Sequence, residues 1–267
     1  IASAERAGDT ARALALARAE VQRRPRDASA QFWLGRTLLQ RYEPGAADGA
    51  SILEEAKAAF AQAATLEPEN IQARMGLFLF YLRAGDAAAA RRELEAMANW
   101  EGLAPGRRAE LQAQGLQLLG DRPAAEARYA EAIQLEPSNA DYHLRFATFV
   151  AEYKPDLATR HLRECLRLDP KQEAAKRLLA TLLFRQGGES QWRQAQDLLQ
   201  AVDDRTNDDA NLRLQANLLV QRQGSVNLER ARSILEKIIA GPRVQPNDRI
   251  LLARVLERLD QQPAATQ

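Results

Sequence analysis

Gly-Asp and Pro punctuate this sequence at regular intervals, and the interval constrains the fold more than any single residue does. Gly8 to Pro25 and Gly120 to Pro137 each span 17 positions, and Gly85 precedes Gly120 by 35. The intervening segments are rich in Ala and Leu, with apolar residues at i, i+4 and i+7, the spacing of one stripe along a helix. A period of about 34 residues built from two such helices marks a stack of helix pairs, each burying its apolar face against its neighbours.

The punctuation has a physical basis. Gly85 and Gly120 are expected to take the left-handed backbone that closes a helix, and Asp86 and Asp121 to supply the acceptor that opens the next. Pro68, Pro137 and Pro170 end the second helix of a pair, because proline forces the residue before it out of the helical region. Small residues at Gly35, Ala147, Ala180 and Ala216 are expected where two helices cross closely.

Three second helices carry one pattern: Ala56, Phe60, Ala63 and Pro68; Ala125, Tyr129, Ala132 and Pro137; Ala158, Leu162, Cys165 and Pro170. First helices show Leu34-Gly35, Leu77 with Tyr81, Phe146-Ala147, Leu179-Ala180 and Leu252-Ala253. Together these residues resemble the tetratricopeptide repeat (TPR) family over essentially the whole chain. Phe78 stands where that family has Gly or Ala, residues 110–119 have their apolar positions out of step, and the turn from Tyr42 to Ser51 is about nine residues longer than usual. Smaller insertions follow Gly187 and Gly224. The resemblance implies an all-α fold, a right-handed α-solenoid of antiparallel helix pairs with about seven repeats.

The expected units are 1–27, 28–70, 71–105, 106–139, 140–172, 173–208, 209–246 and 247–267, in one continuous solenoid. The first reads as a second helix without its partner and the last as a first helix without its own, so the chain is expected to be a fragment of a longer protein. Its Ala-, Arg- and Gln-rich character resembles bacterial repeat proteins.

Net charge is +1, which leaves no electrostatic footprint for nucleic acid. Positive charge comes from arginine far more than from lysine. No apolar run approaches the roughly 18 residues that cross a bilayer.

Catalytic chemistry has few candidates. His143, His161 and Cys165 are the whole stock of histidine and cysteine. His161 and Cys165 share a helix face at i, i+4, yet no spacing supplies the further ligands a metal needs, and Cys165 falls on the small buried position of its repeat. Carboxylates such as Glu54-Glu55, Asp203-Asp204 and Asp208-Asp209 read as solvated faces and helix starts rather than acid–base pairs. Phosphate-loop, dinucleotide and nucleophile-elbow motifs are absent. The reading is therefore of a non-enzyme with no cofactor and no metal.

In the resembling family, first helices line a concave face that receives a peptide or a partner helix. That register turns Phe32, Trp33 and Arg36 inward, then Met75, Leu79 and Leu82, then Leu144, Arg145 and Thr148, then Arg177, Thr181 and Phe184, then Arg213 and Asn217, and finally Arg254. An apolar early groove thus gives way to a row of arginines suited to the carboxylates of an acidic segment. The family's Lys/Asn clamp for a terminal carboxylate does not transfer, since Phe32 and Arg36, Gly76, and Arg107 with Leu111 hold its places. The implied function is a protein–protein interaction scaffold. The alternatives are a regulatory or substrate-recruiting arm of a larger enzyme or envelope export protein, and self-association through exposed terminal helices.

Overall fold

The computed structural model describes residues 10–98, 100–200, 209–222 and 224–260. Gly8 and the acidic residues Asp203, Asp204 and Asp208 lie outside them. Fourteen helices are present among the described residues, and they divide between two compact units that meet at Pro137 and Ser138.

The first unit holds α1 (Thr10–Arg23), α2 (Ala28–Arg41), α3 (Gly49–Leu66), α4 (Ile71–Arg83), α5 (Ala87–Ala98), α6 (Pro105–Leu118) and α7 (Arg122–Leu135). Here α2 packs on α3, α4 on α5 and α6 on α7, while α1 lies on α2 and the first helices α2 and α4 touch directly. The second unit holds α8 (Ala140–Val150), α9 (Pro155–Leu168), α10 (Glu173–Gln186), α11 (Glu189–Gln200), α12 (Asp209–Gln221), α13 (Ser225–Ile239) and α14 (Pro246–Asp260). Its pairs are α8 with α9, α10 with α11 and α12 with α13, and α14 packs on α13.

The helix boundaries follow the local chemistry read from the sequence. Gly85 and Gly120 have φ of 78° and 77°, in the left-handed region where a side chain is strained. The next residue then serves two helices. The Asp86 N–H donates to the Tyr81 carbonyl (2.9 Å) to close α4, and its carboxylate accepts from the Ala89 N–H (2.8 Å) to open α5. Asp121 repeats this, its N–H on Leu116 O (2.9 Å) and its carboxylate on Ala124 N–H (3.3 Å). Pro25, Pro68, Pro137 and Pro170 each stand two residues past the last helical residue, Arg23, Leu66, Leu135 and Leu168.

Packing centres on the second helices. Ala56, Phe60, Ala63, Ala125, Tyr129, Ala132, Ala158, Leu162 and Cys165 are all buried, as their shared spacing predicts. Phe60 of α3 joins Leu34, Leu38, Leu77 and Phe80 in the core of the first unit, and its ring lies between two glycines. A Cβ at Gly35 would approach it to 2.9 Å and one at Gly76 to 2.3 Å, so the absence of side chains at both positions is what admits the ring.

The out-of-step stretch at 110–119 is resolved by an unusual core residue. Glu110 of α6 is fully buried and bonded to Arg107 and Gln114, one turn away on either side. Gly115 on the same helix lets Leu94 of α5 approach, for a Cβ there would meet its Cδ1 at 2.5 Å. Among the described residues no helix is long and apolar enough to cross a membrane.

Candidate functional site

The first unit contains a cavity of about 540 Å³ between α2 and α4, within the range of ligand-binding clefts. Phe32, Arg36, Met75 and Leu79 line it, four residues that the register of the first helices turns inward. Leu82 and Arg83 continue the α4 wall, Leu39 and Gln40 the α2 wall, and Phe60 and Gly76 lie at its base.

The helices α2 and α4 touch directly, and the Arg83 guanidinium donates from Nη2 to the Leu39 carbonyl at 3.4 Å. Phe32 packs against Phe60 with ring centroids 5.9 Å apart. Trp33 does not line the cavity. It lies under Arg36, whose guanidinium carbon is 3.7 Å from the indole centroid, so its role is to seat the cation at the groove wall. Leu79 is 41% exposed, a large apolar residue presented to solvent along this groove.

The arginines expected to form a row in the second unit sit in different surroundings. Arg213 of α12 is largely buried and grips Asp248 of α14 through Nε (2.8 Å) and Nη2 (2.9 Å), with a further bond from Nη2 to the Arg243 carbonyl at 2.7 Å. Asp248 also accepts from the Gln245 N–H at 2.8 Å. Arg213's hydrogen bond holds the Asp248 carboxyl below the usual aspartate value, more than burial raises it. Arg177 is half-buried and 3.6 Å from Glu173. Thr181 donates to the Arg177 carbonyl (2.9 Å) and Asn217 to the Arg213 carbonyl (2.8 Å), so both side chains turn back on their own helices. Arg145 and Arg254 are exposed.

Two features went unseen in the sequence. His143 of α8 and His161 of α9 are hydrogen-bonded Nδ1 to Nδ1 at 3.0 Å, and Phe146 stands edge-on to His161 at 4.7 Å between ring centroids. Such a bond needs one nitrogen with a proton and one without, so the pair does not hold together with both rings doubly protonated. Burial, then the neighbouring His143 and Arg160, push His161 down to about 4. The helical neighbour Cys165 is fully buried and its thiol is pushed up to about 11, chiefly by burial and then by Asp141 and Asp169, so it is an uncharged core group at neutral pH.

The sign of the His161 shift gives a prediction. The unfolded chain takes up this proton near the ordinary value of 6.5, whereas the folded chain resists until about 4. Stability from this group is therefore full above pH 6.5 and declines as pH falls through that window. Urea midpoints between pH 7.5 and 4 are expected to fall for the parent, and to fall less steeply for His161→Asn.

The second unseen feature is a cavity of about 340 Å³ in the second unit, formed by Trp192 and Leu199 of α11, Gln215, Leu218 and Leu219 of α12, and Ile234 of α13. Gln215 and Asn211 both donate to the Leu199 carbonyl beside it, at 3.2 and 3.1 Å. It uses α12 residues other than Arg213 and Asn217, the pair the register singles out, which is why first-helix reasoning passed over it. Trp192 packs on Phe184 near the close of α10, at 5.6 Å between ring centroids. Among the described residues, no group of three or more His, Cys, Asp or Glu side chains could hold a metal ion.

No protein-family model matches the sequence, and no curated protein matches it. Solved structures do. Yeast Tom70 superimposes with a TM-score of 0.62 over 96% of this chain at 14% identity, and a chain of the APC/C hetero-tetramer Cut9–Hcn1 with 0.54 over 96% at 18%. The chain has a tetratricopeptide-repeat fold. It spans 60% of the Tom70 chain and 48% of the Cut9–Hcn1 chain. In this TPR fold the α2/α4 cavity is bounded by two successive first helices, and the second cavity involves two second helices, α11 and α13.

Proposed function

We propose that this TPR chain is a protein-interaction module whose α2/α4 groove receives a segment of a partner protein. The observation that carries the reading is the convergence of Phe32, Arg36, Met75 and Leu79, distant in sequence, on one cavity of suitable size. The walls are preformed helices and the guanidinium is already seated on Trp33, which limits the ordering cost on binding. Nothing in the groove supplies a nucleophile or a general acid–base pair, so its chemistry is recognition. In the second unit, Arg177 and Arg213 face carboxylates of their own unit, so the row of arginines adds no support for an acidic partner there.

The test is selection of a random displayed peptide library on the parent chain and on Met75→Asp, a substitution at a half-buried wall position. Peptides enriched by the parent and lost with Met75→Asp, at unchanged thermal midpoint, are the expected result. Equal enrichment on both chains would place binding elsewhere.

A further inference from the structure

The cavity of the second unit is bordered by polar side chains that the fold itself leaves unused. Its apolar lining is Trp192 and Leu199 of α11 with Leu218 and Leu219 of α12, none more than 8% exposed. Two helix faces add polar groups to it. Gln196 and Gln200 stand one turn apart on α11, and Arg230 and Ser233 one turn apart on α13. Among the described residues, none of these four side chains has a hydrogen bond or an ion pair. Unpartnered side chains are ordinary on a solvated helix surface, but here four of them from two helices border one apolar hollow, the arrangement of a small-molecule site.

The lining selects a charge. Arg230 is the one charged side chain among the described residues that line the cavity, and the exposed Lys237 lies two turns further along the same face of α13. No carboxylate lines it to receive an ammonium group. A carboxylate accepts at both oxygens, and it would find the planar fork of Arg230 together with the N–H groups of two amides and a hydroxyl. Size narrows the choice further. A volume of about 340 Å³ is at the lower end of ligand clefts, and at about 30 Å³ per water it has the room of roughly eleven waters. That suits a molecule of about ten non-hydrogen atoms rather than a segment of a folded partner.

We propose that this cavity binds a small organic acid, with its apolar body on Trp192, Leu199, Leu218 and Leu219 and its carboxylate at Arg230 beside the Gln196 and Gln200 amides. The site belongs to the second unit and does not depend on the α2/α4 groove being a docking site.

The probes are phenylacetate, phenylacetamide and phenethylamine, molecules of similar shape with a negative, a neutral and a positive head, titrated onto the whole chain and followed by ligand-observed NMR. The parent is expected to bind the acid about threefold to tenfold more tightly than the amide at low salt, with the amine weakest. That preference should shrink at about 0.5 M salt, as for any partly exposed ion pair. Arg230→Gln should remove the advantage of the acid and leave the amide within about twofold of its parent affinity. Ser233→Trp fills the mouth of the cavity and should abolish binding of all three. Arg230 and Ser233 are both exposed, so each variant is expected to keep the parent's thermal midpoint. Acid and amide bound alike by the parent, an acid preference that survives Arg230→Gln, acid binding retained on Ser233→Trp, or no binding of any probe would each overturn the proposal.

Discussion

Phe60→Ala is expected to destabilise the first unit by about 3–5 kcal/mol, the cost of removing a fully packed aromatic side chain and leaving its cavity. The residue is 1% exposed, and its ring is enclosed by α2 at Gly35 and by α4 at Gly76. The same geometry predicts an inverted effect of alanine. In an open helix, Gly→Ala stabilises by roughly 1 kcal/mol. Gly76→Ala puts a Cβ 2.3 Å from Phe60 Cδ1, and Gly35 of α2 lies against the other part of the ring, so the ring must shift out of its packed position. The substitution is expected to cost about 1–3 kcal/mol despite the better propensity. Combining it with Phe60→Leu should recover part of that loss. Urea unfolding of the two single variants and the double variant checks the coupling. Additive costs would mean that the ring and Gly76 do not meet.

Arg213→Ala is expected to have a comparable effect in the second unit, about 2–3 kcal/mol, because it strands a carboxylate that is 4% exposed with a single backbone donor left. The loss should concentrate in α14, which Asp248 anchors to α12, and appear as faster hydrogen exchange there. Its pH dependence differs from that of His161. Arg213 depresses the Asp248 carboxyl, so the bond's contribution is full above the ordinary aspartate value of 3.8 and is lost as pH falls through the lower folded value. In Arg213→Ala that depression is removed, so the variant is less stable at neutral pH and this acid-induced loss should be absent from it. Asp248→Asn keeps an acceptor in place and should cost less than Arg213→Ala.

What was legible in the sequence was what local chemistry decides. The Gly85-Asp86 and Gly120-Asp121 turns and the prolines two residues past a helix act within a few residues of themselves, and each does in the fold what its type implies. Phe32, Met75 and Leu79, which the register of the resembling family turns inward, line one cavity. Side-chain partners across helices were not legible. His143 and His161 are 18 residues apart and Arg213 and Asp248 are 35 apart, and whether they meet depends on how far one helix slides and rotates on its neighbour. Arginine at position 213 satisfies the inward register equally well as a ligand contact or as the partner of Asp248. Glu110 misleads periodicity for a related reason: a charged residue enters the core because Arg107 and Gln114 satisfy it within one helix.

Hydrogen–deuterium exchange of the chain with and without a peptide selected on it tests the central claim most directly. The groove account predicts slowed exchange in α2 and α4, around Phe32, Arg36, Met75 and Leu79, with α12 to α14 unchanged. Slowed exchange confined to α11, α12 and α13, around Trp192 and Leu218, would contradict it and move the binding site to the cavity of the second unit.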